Sequence, residues 1–270
     1  MRFAIRHTTH YTYELPANGA VQRLRLTPPK TKSQIIHSWA IETDGIDKAP
    51  HYVDGFGNLV HLVTHAGPYE TLTISAGGEV ETTDTGGVIG DIGEVANPQV
   101  FLRDTPLTEA SDAIAAMAAA LPAGKVLSRL HHLLEAIATR VQYVTDSTDA
   151  ATSAADAFEA GRGVCQDHAH IFIAAARGMG LPARYVTGYL HVAEEREEVA
   201  HHAWAETHVP GLGWVGFDPA NNVCPTERYV RLACGFDANS AAPIVGMGRG
   251  GGRESLRVAV VVQEQEQQQQ

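Results

Sequence analysis

Gly161-Arg162-Gly163-Val164-Cys165-Gln166-Asp167-His168-Ala169-His170-Ile171-Phe172-Ile173-Ala174-Ala175-Ala176-Arg177 is the stretch that decides how this chain is read. After the Gly161-Arg162-Gly163 turn the pattern becomes helical at once. It stops at Gly178-Met179-Gly180-Leu181-Pro182, so Cys165 falls in the first turn of a predicted helix. There the unpaired backbone N–H groups and the positive end of the helix dipole stabilise a thiolate. Glycines on the N-terminal side leave that end open to a substrate. A cysteine so placed reads as a nucleophile, whereas one in mid-helix reads as packing.

A nucleophilic cysteine needs a base and a group that orients the base. Downstream, His201-His202-Ala203-Trp204-Ala205-Glu206-Thr207-His208-Val209 alternates like a strand, Pro210-Gly211-Leu212-Gly213 turns, and Trp214-Val215-Gly216-Phe217-Asp218-Pro219 returns. His202, Trp204, Glu206 and His208 share one face of the first strand, and Trp214, Gly216 and Asp218 share one face of the second. His202 and Asp218 therefore meet only if paired positions sum to an even number, or if a bulge corrects the parity. A tight two-residue turn at Gly211-Leu212 would keep them apart.

Working outward, the 270 residues are 44% hydrophobic and 19% charged, which fits a soluble globular protein of one or two domains. Twenty Lys and Arg against 31 Asp and Glu give a net charge of -11, the wrong sign for a nucleic-acid partner. The start MRFAIRHTTHYTYELP lacks a signal-peptide core, and no apolar run is long enough to span a bilayer, so no membrane contact and a cytoplasmic location are expected. Cys165, Cys224 and Cys234 cannot all pair with one another. Cys224 and Cys234 have no adjacent base and read as structural.

Residues 1–97 alternate with period two and predict an all-β, sandwich-like module. Asp54-Gly55-Phe56-Gly57-Asn58 is a hairpin turn within it. Past Asn97-Pro98 the texture turns helical. One helix is expected after an N-cap at Thr108, and a longer amphipathic one over Val126 to Val141. Gly248 to Arg253 reads as a flexible loop and Leu256 to Val262 as a last strand, assigned with residues 98–263 to the second domain. Residues 264–270 read as a disordered Gln-rich tail, and 194–198 as a solvated acidic loop that would disfavour acidic substrates if it overhangs the site.

The stretches GRGVCQDHAHIFIAAARGMGLPARYVTGYL and AHHAWAETHVPGLGWVGFDPANN resemble the bacterial transglutaminase-like cysteine protease family, within the transglutaminase-like superfamily. Tyr11-Thr12-Tyr13, Leu24-Arg25-Leu26-Thr27-Pro28 and the Asp54 to Asn58 turn are similar to that family's N-terminal module, so the resemblance covers about residues 1 to 235. It implies an α+β fold in which the β module precedes a papain-like, transglutaminase-like core, with the nucleophile at a helix N-terminus packed on an antiparallel sheet. It also implies Cys165 as nucleophile, His202 as general base and acid, and Asp218 as third member. Two departures stand out: Ala220 where relatives often have Thr, and His168 where an aromatic or apolar residue often follows Cys-Gln-Asp.

The chemistry that follows is thiol-dependent acyl transfer on a peptide or protein amide, through a thioester resolved by water or an amine. An oxyanion hole would draw on the Cys165 backbone N–H, with Tyr143 or Gln166 as second donor. No cofactor and no metal are expected, because no paired CXXC and no HEXXH occurs. The competing readings are a metal-binding module built on the histidines and cysteines, and an inactive peptide-binding module on the same fold.

Overall fold

A computed structural model describes residues 1–90, 96–192 and 201–265; the acidic run at 194–198 and residues 266–270 lie outside these. The N-terminal half is built on two long antiparallel strands, β1 (Arg2–Leu24) and β4 (Leu59–Thr82), paired from Arg2↔Glu81 to Leu24↔His61. β2 (Gln34–Glu42) and β3 (His51–Val53) pair with β4 along successive lengths of it. The alternation in β1 is real: Phe3, Ile5, His7, Thr9, Tyr11 and Tyr13 are buried while Arg6, His10 and Thr12 face out. The Asp54 to Asn58 turn is held by Asp54 Oδ1, which accepts from the backbone of Phe56 and Asn58, each at 3.0 Å. Asn58 then reaches the second half of the chain, donating to the Cys234 carbonyl at 2.8 Å and accepting from the Cys234 N–H at 2.9 Å.

A short strand β5 (Val88–Gly90) precedes the helices α1 (Asp112–Ala120) and α2 (Val126–Arg140), and strand β6 (Gln142–Tyr143) follows them. Next come α3 (Ala154–Ala160), β7 (Arg162–Gly163) and α4 (Cys165–Gly178). The N-cap of α1 is Ser111, which accepts from Ile114 N at 3.3 Å; Thr108, expected there, is instead buried and accepts from Arg177 Nη1 at 2.6 Å. Helix α4 is buried along nearly its whole length, which explains why its apolar run is unbroken rather than striped.

The sheet of the second half runs β11-β8-β9-β10-β5, all antiparallel, with β8 (Ala183–Leu190), β9 (His201–Val209), β10 (Gly213–Phe217) and β11 (Tyr229–Gly235). Ile171, Phe172 and Ile173 of α4 form one core with Leu130, Leu133, Leu134 and Ile137 of α2 and with Tyr185, Ala203, Ala205 and Phe217 of the sheet. Each fully buried large side chain contributes about 1.5–3 kcal/mol. This core anchors the N-terminus of α4 against β9.

The last elements are α5 (Ala238–Ala241), β12 (Ile244–Gly250) and β13 (Glu254–Glu264). The final strand, which sequence assigned to the second domain, pairs with β1 of the N-terminal sheet from Tyr13↔Glu254 to Phe3↔Glu264. β12 likewise pairs with β1, so part of the expected Gly248 to Arg253 loop is strand. Backbone pairing needs no particular side chains, and the edge of β1 not used by β4 supplies the partner groups. Glu264 and Gln265 belong to this ladder rather than to a tail: Glu264 pairs with Phe3, and Gln265 N donates to Arg2 O at 2.8 Å. In exchange β5, from the N-terminal stretch, pairs with β10. Among the described residues no helix is long and apolar enough to cross a membrane.

Candidate active site

Cys165 is the first residue of α4, half-buried, after N-cap Val164. Asp167 secures this helix end. Its Oδ2 accepts from Val164 N at 2.7 Å and from Thr148 Oγ1 at 2.6 Å. Burial raises the Asp167 carboxyl, and these hydrogen bonds act against the rise. Gly163 is required beside it, because a Cβ there would lie 2.7 Å from both Cβ and Oδ2 of Asp167. The backbone carbonyl of Val164 is taken by the N–H groups of Asp167 and His168, each at 3.1 Å. The first N–H groups of the helix, on Cys165 and Gln166, point beyond its end as helix geometry requires.

The hairpin that carries the base closes through Pro210, Gly211 and Leu212, with Val209 opposite Gly213 and Phe217 opposite Ala205. Gly211 and Gly213 adopt φ of 81° and 75°, values open to glycine at little cost. This three-residue connection makes paired positions sum to an even number, so His202 and Asp218 fall on the same face without a bulge. Nε2 of His202 and Oδ2 of Asp218 are 2.7 Å apart. Nδ1 is thereby left free of Asp218, and Cys165 is close enough to act on the charge of the ring. Burial lowers the proton affinity of His202, but the bonds to Asp218 and Cys165 and their charges outweigh it and raise the pKa to about 10. The arrangement favours an imidazolium held between sulfur and carboxylate.

Asp218 is fully buried, and burial alone would raise its carboxyl. Hydrogen bonds from His202, Asn221 and Tyr229 reverse the direction and hold it below the usual carboxylate range. Oδ1 accepts from the backbone of Ala220 at 3.0 Å and Asn221 at 3.3 Å. Oδ2 accepts from Asn221 Nδ2 and Tyr229 Oη, both at 2.7 Å. A bridge between Asp218 and Val223 pins the loop between them. Trp204, on the same strand face as His202, is buried and stacks on it with ring centroids 6.4 Å apart.

The other sequence candidates lie around Cys165. Tyr143 pairs with Gly163 across β6 and β7, is 50% exposed, and has its phenol pushed up first by burial and then by the charges of Cys165 and Asp218. Gln166 is half-buried in the first turn beside Cys165. His168 has a main-chain carbonyl within hydrogen-bond distance of each ring nitrogen, Val164 at 2.8 Å and Val141 at 3.0 Å, and so ties the start of α4 to the end of α2. Sequence reasoning missed Asn221 and Tyr229. Asn221 carried a signal in its spacing, three residues past Asp218. Tyr229 carried none, because a loop separates it from the hairpin.

The transglutaminase-like superfamily model matches residues 115–219, and the bacterial transglutaminase-like N-terminal region matches residues 3–81. An uncharacterized protein of Mycobacterium leprae is 30% identical over 281 residues, covering 97% of this chain and 98% of the relative. The chain belongs to the transglutaminase-like superfamily. An uncharacterized protein of Mycobacterium tuberculosis is 29% identical over 274 residues, covering 91% of this chain and 87% of the relative. In fold, this transglutaminase-like chain is similar to a proposed cysteine protease from Cytophaga hutchinsonii. That match has a TM-score of 0.75 at 24% identity and covers 98% of this chain and 92% of the other.

Proposed function

We propose that the chain catalyses thiol-dependent acyl transfer on amide bonds of peptides or proteins, with Cys165 as nucleophile, His202 as base and acid, and Asp218 orienting His202. The observation that carries this reading is the His202–Asp218 hydrogen bond at 2.7 Å beside Cys165, which opens a helix and acts on the charge of the same imidazole. The thiolate attacks the carbonyl carbon, forming a C–S bond. His202 gives its Nδ1 proton to the departing nitrogen as the C–N bond breaks. Water or an amine then attacks the thioester, loses its proton to His202, and releases the thiolate. Water gives peptide or isopeptide hydrolysis, or deamidation; an amine gives transamidation. The Cys165 backbone N–H supports the oxyanion, with Tyr143 or Gln166 as second donor. No step needs a cofactor. The free thiols of Cys165, Cys224 and Cys234 support work in a reducing compartment, the cytoplasm.

The test is a panel of amide acyl donors assayed with and without added primary amine, for the parent and for Cys165→Ala and His202→Ala. Turnover that disappears in both variants is expected, and the product with amine present separates hydrolysis from transamidation. Undiminished turnover in Cys165→Ala would overturn the assignment.

A further inference from the structure

Three donors converge on one oxygen of Asp218. His202 Nε2, Asn221 Nδ2 and Tyr229 Oη each lie 2.7 Å from Oδ2, which offers two lone pairs. The other oxygen is already fixed by the backbone of Ala220 and Asn221, so the carboxylate needs no third side chain to hold its direction. Tyr229 is a poor candidate for a purely space-filling role at this point. It begins β11, remote in sequence from the hairpin, and it turns its hydroxyl onto a fully buried carboxylate. Its ring also meets both partners of the stack, 6.0 Å from His202 and 5.5 Å from Trp204.

A hydrogen bond to a charged oxygen withdraws charge from it. Charge that Tyr229 draws from Oδ2 is charge that His202 does not receive. We propose that Tyr229 is a positioning residue that sets the strength of the Asp218–His202 couple, and through it how readily His202 surrenders its proton. The inference rests on the triad reading above. Without the Tyr229 hydroxyl, Asp218 would hold the imidazolium more tightly, making His202 a stronger base and a weaker acid toward the departing nitrogen. With it, the same imidazole serves both half-reactions. The phenol is kept protonated, and so kept a donor, by burial first and by the Asp218 charge second.

The other titratable groups that bear on the couple are Cys165 from α4, Tyr143 from β6, His201 beside His202 on β9, and Arg228 just before β11. None of these bonds Asp218 Oδ2, so a change confined to the Tyr229 hydroxyl isolates its effect among the described residues.

The experiment is an NMR titration of ring-labelled histidine in the full chain, following His202 in the parent, in Tyr229→Phe, and with Tyr229 replaced by 3-fluorotyrosine. The first variant removes the donor; the second keeps the shape and makes the donor stronger. The His202 midpoint should rise by about half to one pH unit in Tyr229→Phe and fall with 3-fluorotyrosine. Opposite shifts are not expected of a merely structural tyrosine. Midpoints within about 0.2 unit of the parent in both variants, or shifts of the same sign, would overturn the proposal. A His202 midpoint that does not move in Cys165→Ala or in Asp218→Asn would instead sink the triad reading, so the two failures are told apart. Should Tyr229→Phe not fold, the 3-fluorotyrosine chain alone decides between a downward shift and none.

Discussion

Replacing Glu206 by Gln removes a carboxylate that, among the described residues, bonds two buried arginines. Glu206 and Arg184 are fully buried and Arg231 nearly so. Oε2 of Glu206 accepts from Arg184 Nε at 2.6 Å and Arg231 Nη2 at 3.4 Å, and Oε1 accepts from Arg231 Nε at 2.9 Å. Glutamine keeps the shape but removes the negative charge that both guanidinium groups bond. Breaking a buried ion pair from one side costs about 3–5 kcal/mol. In a chain of this size each kcal/mol lowers Tm by about 2–4 °C, so a fall of about 6–20 °C is expected. Urea unfolding followed by circular dichroism should show a lower midpoint at unchanged slope. The difference should also depend on pH. Burial pushes the Glu206 carboxyl up, but Arg184 and Arg231 outweigh it and hold it below its ordinary value. Its stabilisation is therefore complete above the unfolded carboxylate pKa of about 4.3 and is lost as pH falls through the lower folded value, where parent and variant should converge. A loss below about 1 kcal/mol at neutral pH would refute the reasoning.

Other perturbations test single contacts. Asp218→Asn leaves His202 without its carboxylate and should lower kcat by about a thousand- to ten-thousandfold, measured on whichever acyl donor the panel identifies. Gly163→Ala sets a Cβ against Asp167, and should cost about 1–3 kcal/mol in urea unfolding and slow alkylation of Cys165 as its helix end shifts. His7 is buried, with Nδ1 3.0 Å from Tyr189 Oη, and burial followed by the neighbouring His201 lowers its pKa to about 3. A folded value below the unfolded one means the stability it permits is complete above pH about 6.5 and is lost as pH falls toward 3, by up to about 1.4 kcal/mol per unit. His7→Gln should flatten that part of the stability profile, and an unchanged slope would contradict the assignment.

What could be read from sequence was local. Cys165 announced itself because glycines and a helix start leave signatures within a few residues, and the hairpin reduced the His202 to Asp218 question to the parity of one turn. What could not be read was long-range pairing. The Val-rich β13 reads correctly as a strand, yet nothing in its residues says that its partner is β1, more than 200 positions away. The same limit hid Tyr229: a hydroxyl that completes the site from another strand has no spacing to betray it. Thr108 misled for a different reason. Its hydroxyl suits an N-cap, but the buried Arg177 guanidinium claims it, and Ser111 caps the helix instead.

The most direct measurement of whether Cys165 is an activated nucleophile is its alkylation rate by iodoacetamide, resolved by peptide mass mapping against Cys224 and Cys234 across pH. Cys224 is half-buried with its thiol pushed up by burial, and Cys234 is buried. Cys165 should react at least about tenfold faster than either at neutral pH, and His202→Ala should abolish the advantage. Equal rates at the three cysteines, or a Cys165 rate indifferent to His202, would contradict the catalytic assignment.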